Sequence, residues 1–187
     1  VRYLAKTPSL QALLDSAGDP DRYERARQQI GEQFAEFAQG KRAYYQIRYL
    51  DESGHEIVRL NEGDGGSVMV PEEQLQDKSH RYYFEEAMQL DPEEVYVSPM
   101  DSNTEFGRVE TPVRPVIRYA SGVRDQKGVN RGIVIVNLFA SDLFAMVRDL
   151  PPEGAPYLLN PAGDYLYSIS KDGIEKFHEP GTQGEIS

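Results

Sequence analysis

Apolar positions in the first 39 residues recur at helical spacing. Leu4, Leu10, Leu13 and Leu14 form one run, and Ala17-Gly18-Asp19-Pro20 interrupts it. Tyr23, Ala26, Ile30, Phe34 and Phe37 then share one face of a second helix starting at about Pro20, with Gly40 placed to cap it. From Tyr44 the period changes to two. Tyr45, Ile47 and Tyr49 alternate with Gln46 and Arg48, which predicts a strand; Asp51 to Gly54 is a turn, and Glu56 to Leu60 the returning strand. Gly63 to Gly66 reads as a flexible loop: the string around it, EGDGGS, lacks the Lys-Ser/Thr of a phosphate loop and the strand-to-helix setting of a dinucleotide fingerprint.

A short helix is expected from Ser79 or Arg81 to Leu90, with Asp77 or Ser79 as N-cap and Asp91-Pro92 as its stop. Glu94 to Ser98 reads as a strand, and Pro99 to Pro112 as a polar, hairpin-like excursion. Pro115 to Val123 and Gly132 to Phe139 read as paired strands around a turn at Gly128. Ser141 is placed to cap a helix through Leu150, and Pro151 to Gly154 is a linker signal. Beyond it, Tyr157–Asn160 and Tyr165–Ile169 flank a Gly-containing acidic turn and echo the pair at 44–60. The order predicts an α+β fold: helices packed on a central antiparallel sheet, with a second copy of the architecture beginning near residue 156.

Composition narrows the function. Twenty Lys and Arg against 31 Asp and Glu give a net charge of −11. With no basic stripe, this disfavours nucleic acid and anionic lipid as partners. Cys is absent, which removes disulfides, thiolate catalysis and Cys-based zinc sites. No apolar run reaches the roughly 18 residues of a membrane span. The chain starts and stops in mid-pattern, as expected of a piece of a longer protein.

No catalytic set assembles from the spacing. His55, His80 and His178 are isolated, and the carboxylates fall in runs such as Glu72-Glu73 and Glu93-Glu94 that suit solvated faces. Asp101 to Glu105 opens like a calcium loop without its glycine or distant glutamate, so it is read as a solvated loop; no metal and no cofactor are expected. The chemistry concentrates in Asp77 to Asp101. Arg81, Tyr83 and Phe84 lie within one turn, and Tyr96 and Ser98 follow on the next strand. A guanidinium among aromatic rings at the rim of a sheet suits a small anion, since it pairs with carboxylate in a bidentate fork and keeps its charge when desolvated. The bland alternative pairs Arg81 with Glu85 on the helix surface and leaves Tyr83 and Phe84 as core. Arg118 lies mid-strand and faces either this site, where two guanidiniums would suit a dianion, or solvent; Tyr119 points to the opposite face.

The strings QIRYLDESGHEIVRLN, DKSHRYYFEEAM and PVIRYASGVRDQKGVNRGIVIVNL, in this order, resemble the double Cache (PAS-like) extracytoplasmic sensor domains of bacterial receptors. The resemblance covers nearly the whole chain. It implies an N-terminal helical stalk at 1–40, a membrane-distal ligand-binding module at 41–140, a linking helix and linker at 141–155, and the start of a truncated membrane-proximal module at 156–187. It also implies a periplasmic or extracellular location, transmembrane helices outside this chain, and a cytoplasmic histidine kinase, diguanylate cyclase or chemotaxis output. The domain itself is then no enzyme. Its long N-terminal apolar stripe allows a homodimer.

In that family an arginine of the pocket helix often binds a ligand carboxylate, and Arg81 matches it. The amino-acid-binding branch adds an acid two residues after the strand tyrosine and another near the end of the last strand. Here Ser98 and Asn137 stand at those places. The resemblance therefore implies a small organic acid rather than an α-amino acid, held by Arg81, Tyr83, Phe84, Tyr96, Ser98, Arg118 and Asn137. The alternative is the same fold with a filled pocket, acting as a structural or protein-interaction module through dimer or partner contacts.

Overall fold

The computed structural model describes residues 1–41, 43–63, 65–150, 156–170 and 172–179. The chain divides into two compact units, 1–98 with 118–138, and 99–117 with 139–187.

In the first unit, α1 (Pro8–Leu14) and α2 (Pro20–Ala38) pack on a sheet. Pro20 occupies the first turn of α2, where its missing N–H costs nothing, and the Asp19 carboxylate accepts the Arg22 N–H at 3.0 Å. Ala26, Ile30, Phe34 and Ala38, spaced by four, are buried against the strands. The apolar stripe of α2 is thus used within its own unit, which removes it as an argument for a dimer contact. The strands are β1 (Tyr44–Asp51), β2 (Glu56–Gly63), β3 (Gly66–Met69), β4 (Tyr96–Val97), β8 (Pro115–Arg124) and β9 (Asn130–Phe139), in the order β3-β2-β1-β9-β8-β4.

Both faces of this sheet are covered. Ile47, Tyr49, Val134 and Val136 face α1 and α2, while Leu50, Ile133 and Ile135 pack with α3 (Tyr82–Met88). That is why β9 reads as a continuous apolar run rather than an alternation. Gly132, at φ +133°, lets β9 approach β1: a Cβ there would lie 2.0 Å from the Leu50 carbonyl oxygen.

In the second unit, β5 (Asp101–Ser102) pairs with the start of β8, and β6 (Thr104–Glu105) with β7 (Arg108–Val109). Helix α4 (Ser141–Arg148) and the sheet β10 (Tyr157–Leu159), β11 (Tyr165–Ile169), β12 (Glu175–Phe177) share a small core. Phe144 of α4 stacks on Tyr167 of β11 at 4.2 Å.

Several expected elements are revised. The loop at 63–66 is the turn of a β2–β3 hairpin, with Gly63 paired to Gly66; Asp64 lies outside the described residues. Helix α3 starts at Tyr82 because Arg81 is extended, it ends at Met88, and Asp77 accepts the Ser79 N–H instead of capping a helix. The strand at 94–98 contracts to β4, Ser141 is the first residue of α4 and not its cap, and β12 was not foreseen. Asn103 is buried, its amide held by Glu105 and Glu110, so Asp101 to Glu105 is not a solvated loop. The linker signal at 151–154 lies outside the described residues.

Candidate functional site

The α3 side of the first unit's sheet holds a buried polar cluster. Alternation in β1 sends Ile47 and Tyr49 to the α2 side and therefore Gln46 and Arg48 to the α3 side. Arg48 stands opposite Arg59 of β2 and Ile135 of β9, and Gln46 opposite Asn137. Arg48 and Arg118 are each 1% exposed, and Gln46 and Asn137 are fully buried.

Tyr83, 2% exposed, is the centre of the cluster. Three guanidiniums surround its ring: Arg118 at 4.9 Å, Arg81 at 5.6 Å and Arg48 at 5.7 Å from the centroid. Arg81 is half-buried at the N-cap of α3, so it and the half-buried Tyr82 form the outer layer. Tyr82 meets Tyr83 edge to face at 5.6 Å, and its hydroxyl accepts from Arg118 Nη1 at 3.4 Å. The Tyr83 hydroxyl lies 3.5 Å from Arg48 Nη1. Arg48 Nη2 donates to Asn137 Oδ1 at 2.9 Å, and Asn137 Nδ2 donates to Gln46 Oε1 at 3.1 Å, which fixes the amide of Asn137 as an acceptor toward arginine. Glu56, whose side chain is fully buried, accepts from Arg48 Nη1 at 3.3 Å and lies 3.8 Å from Arg59 Nη1.

Of the seven residues singled out from sequence, the contacts join Arg81, Tyr83, Arg118 and Asn137. Arg118 faces inward, and Tyr119 faces away, lining a groove with Phe37, Tyr44 and Val136. Ser98 reaches the cluster through backbone: its Oγ accepts the Arg118 N–H at 2.9 Å. Phe84 and Tyr96 belong to the apolar packing of α3 on the sheet; burial, with Glu86 nearby, pushes the Tyr96 hydroxyl upward. Arg48, Glu56, Gln46 and Tyr82 were missed. Polar residues of a period-two strand look solvent-facing until a second layer is known to cover them. A groove of about 590 Å³ on the α1 and α2 side, lined by Leu13, Tyr23, Tyr49 and Arg131 among others, contains none of these residues. Two of its rim acids, Glu52 and Asp125, are engaged by Arg131.

The cluster offers donors and cations on a rigid aromatic wall, and no nucleophile–base pair is among its contacts. Among the described residues no group of acids and histidines could hold a metal ion, and no helix is long and apolar enough to cross a membrane.

The family described as bacterial histidine kinase, sensor domain, matches residues 8–179. No curated protein matches the chain. Among solved structures, a domain of a sensory box/GGDEF family protein from Vibrio parahaemolyticus is 24% identical, with 88% of this chain and 60% of that one covered at a TM-score of 0.71. The extracellular domain of a histidine kinase, vpHK1S-Z8, gives 24% identity, 88% and 57% coverage and 0.71. The ligand-binding domain of the Campylobacter jejuni chemoreceptor Tlp3, in complex with 4-methylisoleucine, gives 16%, 84% and 58%, and 0.57. The chain thus spans about 60% of the length of these structures. At these identities the likeness establishes the Cache-like α+β sensor fold. The family match over residues 8–179 shows that the chain belongs to the sensor domains of bacterial histidine kinases.

Proposed function

We propose that this sensor domain binds a small carboxylate-bearing molecule beside Tyr83, with Arg81 and Arg118 as its charged contacts and Asn137 setting the inner wall through Arg48. The observation that carries the reading is the convergence of three guanidiniums on one tyrosine ring. Guanidinium forks match carboxylate oxygens, and low local dielectric strengthens each such bond. Tlp3 binds isoleucine and L-valine. Here Ser98 and Asn137 replace the acids that an ammonium group needs, and Glu56 already accepts from Arg48 and from the Gln76 N–H. A simple organic acid therefore fits better than an amino acid.

In the full receptor, residues 1–40, whose helices α1 and α2 also pack on the sheet of the first unit, serve as the stalk, with 41–140 as the distal module, 141–155 as the link and 156–187 as the start of the proximal module. Ligand preference for one of two receptor conformations then passes to the membrane and the kinase. A thermal-shift screen with organic acids, amino acids and amines tests this. A rise in melting temperature with a simple carboxylate, abolished by Arg81→Ala, is expected. A response to amino acids but not to simple acids refutes the reading of Ser98 and Asn137, and silence to every small molecule favours a protein-interaction module.

A further inference from the structure

Glu56 touches two parts of the molecule at once. Its Oε1 accepts from Arg48 Nη1 at 3.3 Å, and its Oε2 accepts the Gln76 N–H at 3.1 Å. The tie is reciprocal, since the Glu56 N–H donates to the Gln76 carbonyl at 3.0 Å. Gln76 begins the strap 76–81 that leads into α3 and ends at Arg81. The β1–β2 turn holds the same strap by backbone: Lys78 N–H donates to the Gly54 carbonyl at 2.9 Å, and His55 bridges Asp77. The approach is close enough that a Cβ on Gly54, at φ +88°, would lie 2.5 Å from Ser79 Cα.

A carboxylate with no exposed surface is retained in a strand only where cations and N–H groups surround it. Here that requirement joins the guanidinium packed nearest Asn137 to the backbone that carries the pocket helix. An anion held by Arg81 and Arg118 against the Tyr83 ring would also draw on Arg48, which lies 5.7 Å from that ring and is already engaged by Glu56. Any withdrawal of Arg48 from Oε1 rebalances the carboxylate toward Arg59 and moves the acceptor of the Gln76 N–H.

Resting on the anion reading above, we infer that Glu56 is a positioning residue that competes with the ligand for Arg48 and passes the outcome to the strap before α3. Anion binding and strap position are then coupled through one carboxylate, and the coupling is reciprocal.

The test compares the protein with its Glu56→Gln and Glu56→Asp variants by two readouts: calorimetric titration with succinate, and amide hydrogen exchange of residues 76–81 without ligand. Glu56→Gln keeps the size and an acceptor oxygen but removes the competing charge. Succinate affinity is expected to rise on the order of tenfold, the scale of a close charge coupling, while exchange in the strap accelerates. Glu56→Asp keeps the charge and shortens the reach by one methylene. It is expected to accelerate strap exchange without raising affinity, and it supplies the exchange readout if Glu56→Gln does not fold. A purely packing role lowers affinity in both variants or leaves it unchanged, and either outcome overturns the competition. Unchanged strap exchange in both variants, with β1 and β9 amides as protected as in the wild type, overturns the tie. If the wild type takes up neither succinate nor any other carboxylate, the anion reading fails and the competition with it; strap exchange still decides whether Glu56 holds the strap.

Discussion

Arg48→Met tests whether the buried cluster is held by mutual charge neutralisation. Arg48 is 1% exposed and the Glu56 side chain fully buried, so the substitution leaves a carboxylate that cannot reach water. Breaking a buried pair from one side costs about 3–5 kcal/mol. Arg59, 3.8 Å from Oε2, softens this toward the lower end. Asn137 Oδ1 loses its 2.9 Å donor, worth about 1 kcal/mol. Met fills most of the aliphatic volume, so the expected loss is about 3–4 kcal/mol. The double variant Arg48→Met with Glu56→Gln removes both charges. It is expected to recover at least about 2 kcal/mol relative to additivity, because an apolar replacement of a whole buried pair is often neutral. Urea unfolding gives the free energies, followed through amide exchange in β1 and β9, since two compact units need not unfold in one step. A single variant within about 1 kcal/mol of wild type, or an additive cycle, would mean that mutual charge neutralisation does not hold the cluster.

Burial, with Lys176 nearby, lowers the pKa of His178 below its ordinary 6.5, and its Nε2 lies 3.0 Å from Ser168 Oγ. A depressed value means that its stabilising contribution is present in full above pH 6.5 and is lost as pH falls from there through the folded value. Exchange protection of β11 is therefore expected to drop across that window, and His178→Gln should flatten the profile. Gly132→Ala places a Cβ 2.0 Å from a backbone oxygen at φ +133° and should cost more than about 3 kcal/mol by thermal unfolding. Gly31→Ala meets only the Met69 side chain, with the sulfur nearest at 2.6 Å, a contact that a flexible thioether can relieve, and should stay within about 1 kcal/mol of wild type.

The period-two alternation at 44–50 located β1, and the apolar run at 133–136 located β9, because both patterns depend on local side-chain direction. The same alternation gave Arg48 and Gln46 no role beyond strand positions. In a sheet with one wet face, their polarity would mean solvent; here α3 covers that face and turns them into the inner wall of the cluster. Arg81 and Tyr83 stand out in the sequence because a guanidinium beside aromatics is unusual locally, whereas the sequence lets Arg118 face either the site or solvent; both guanidiniums pack on the Tyr83 ring. Glu56 was not, since a glutamate after an Asp-Glu-Ser-Gly turn reads as surface. Its role depends on Gln76, twenty residues on, and only the fold brings the two together. The short strands β3 and β12 escaped because so few residues carry no period.

The most direct measurement is a crystal structure of the protein grown with succinate. A carboxylate is expected within hydrogen-bonding distance of the Arg81 or Arg118 guanidinium, against the Tyr83 ring. Succinate bound only in the groove lined by Tyr23 and Tyr49, or a Tyr83 site whose occupant is instead an amine, would contradict that expectation.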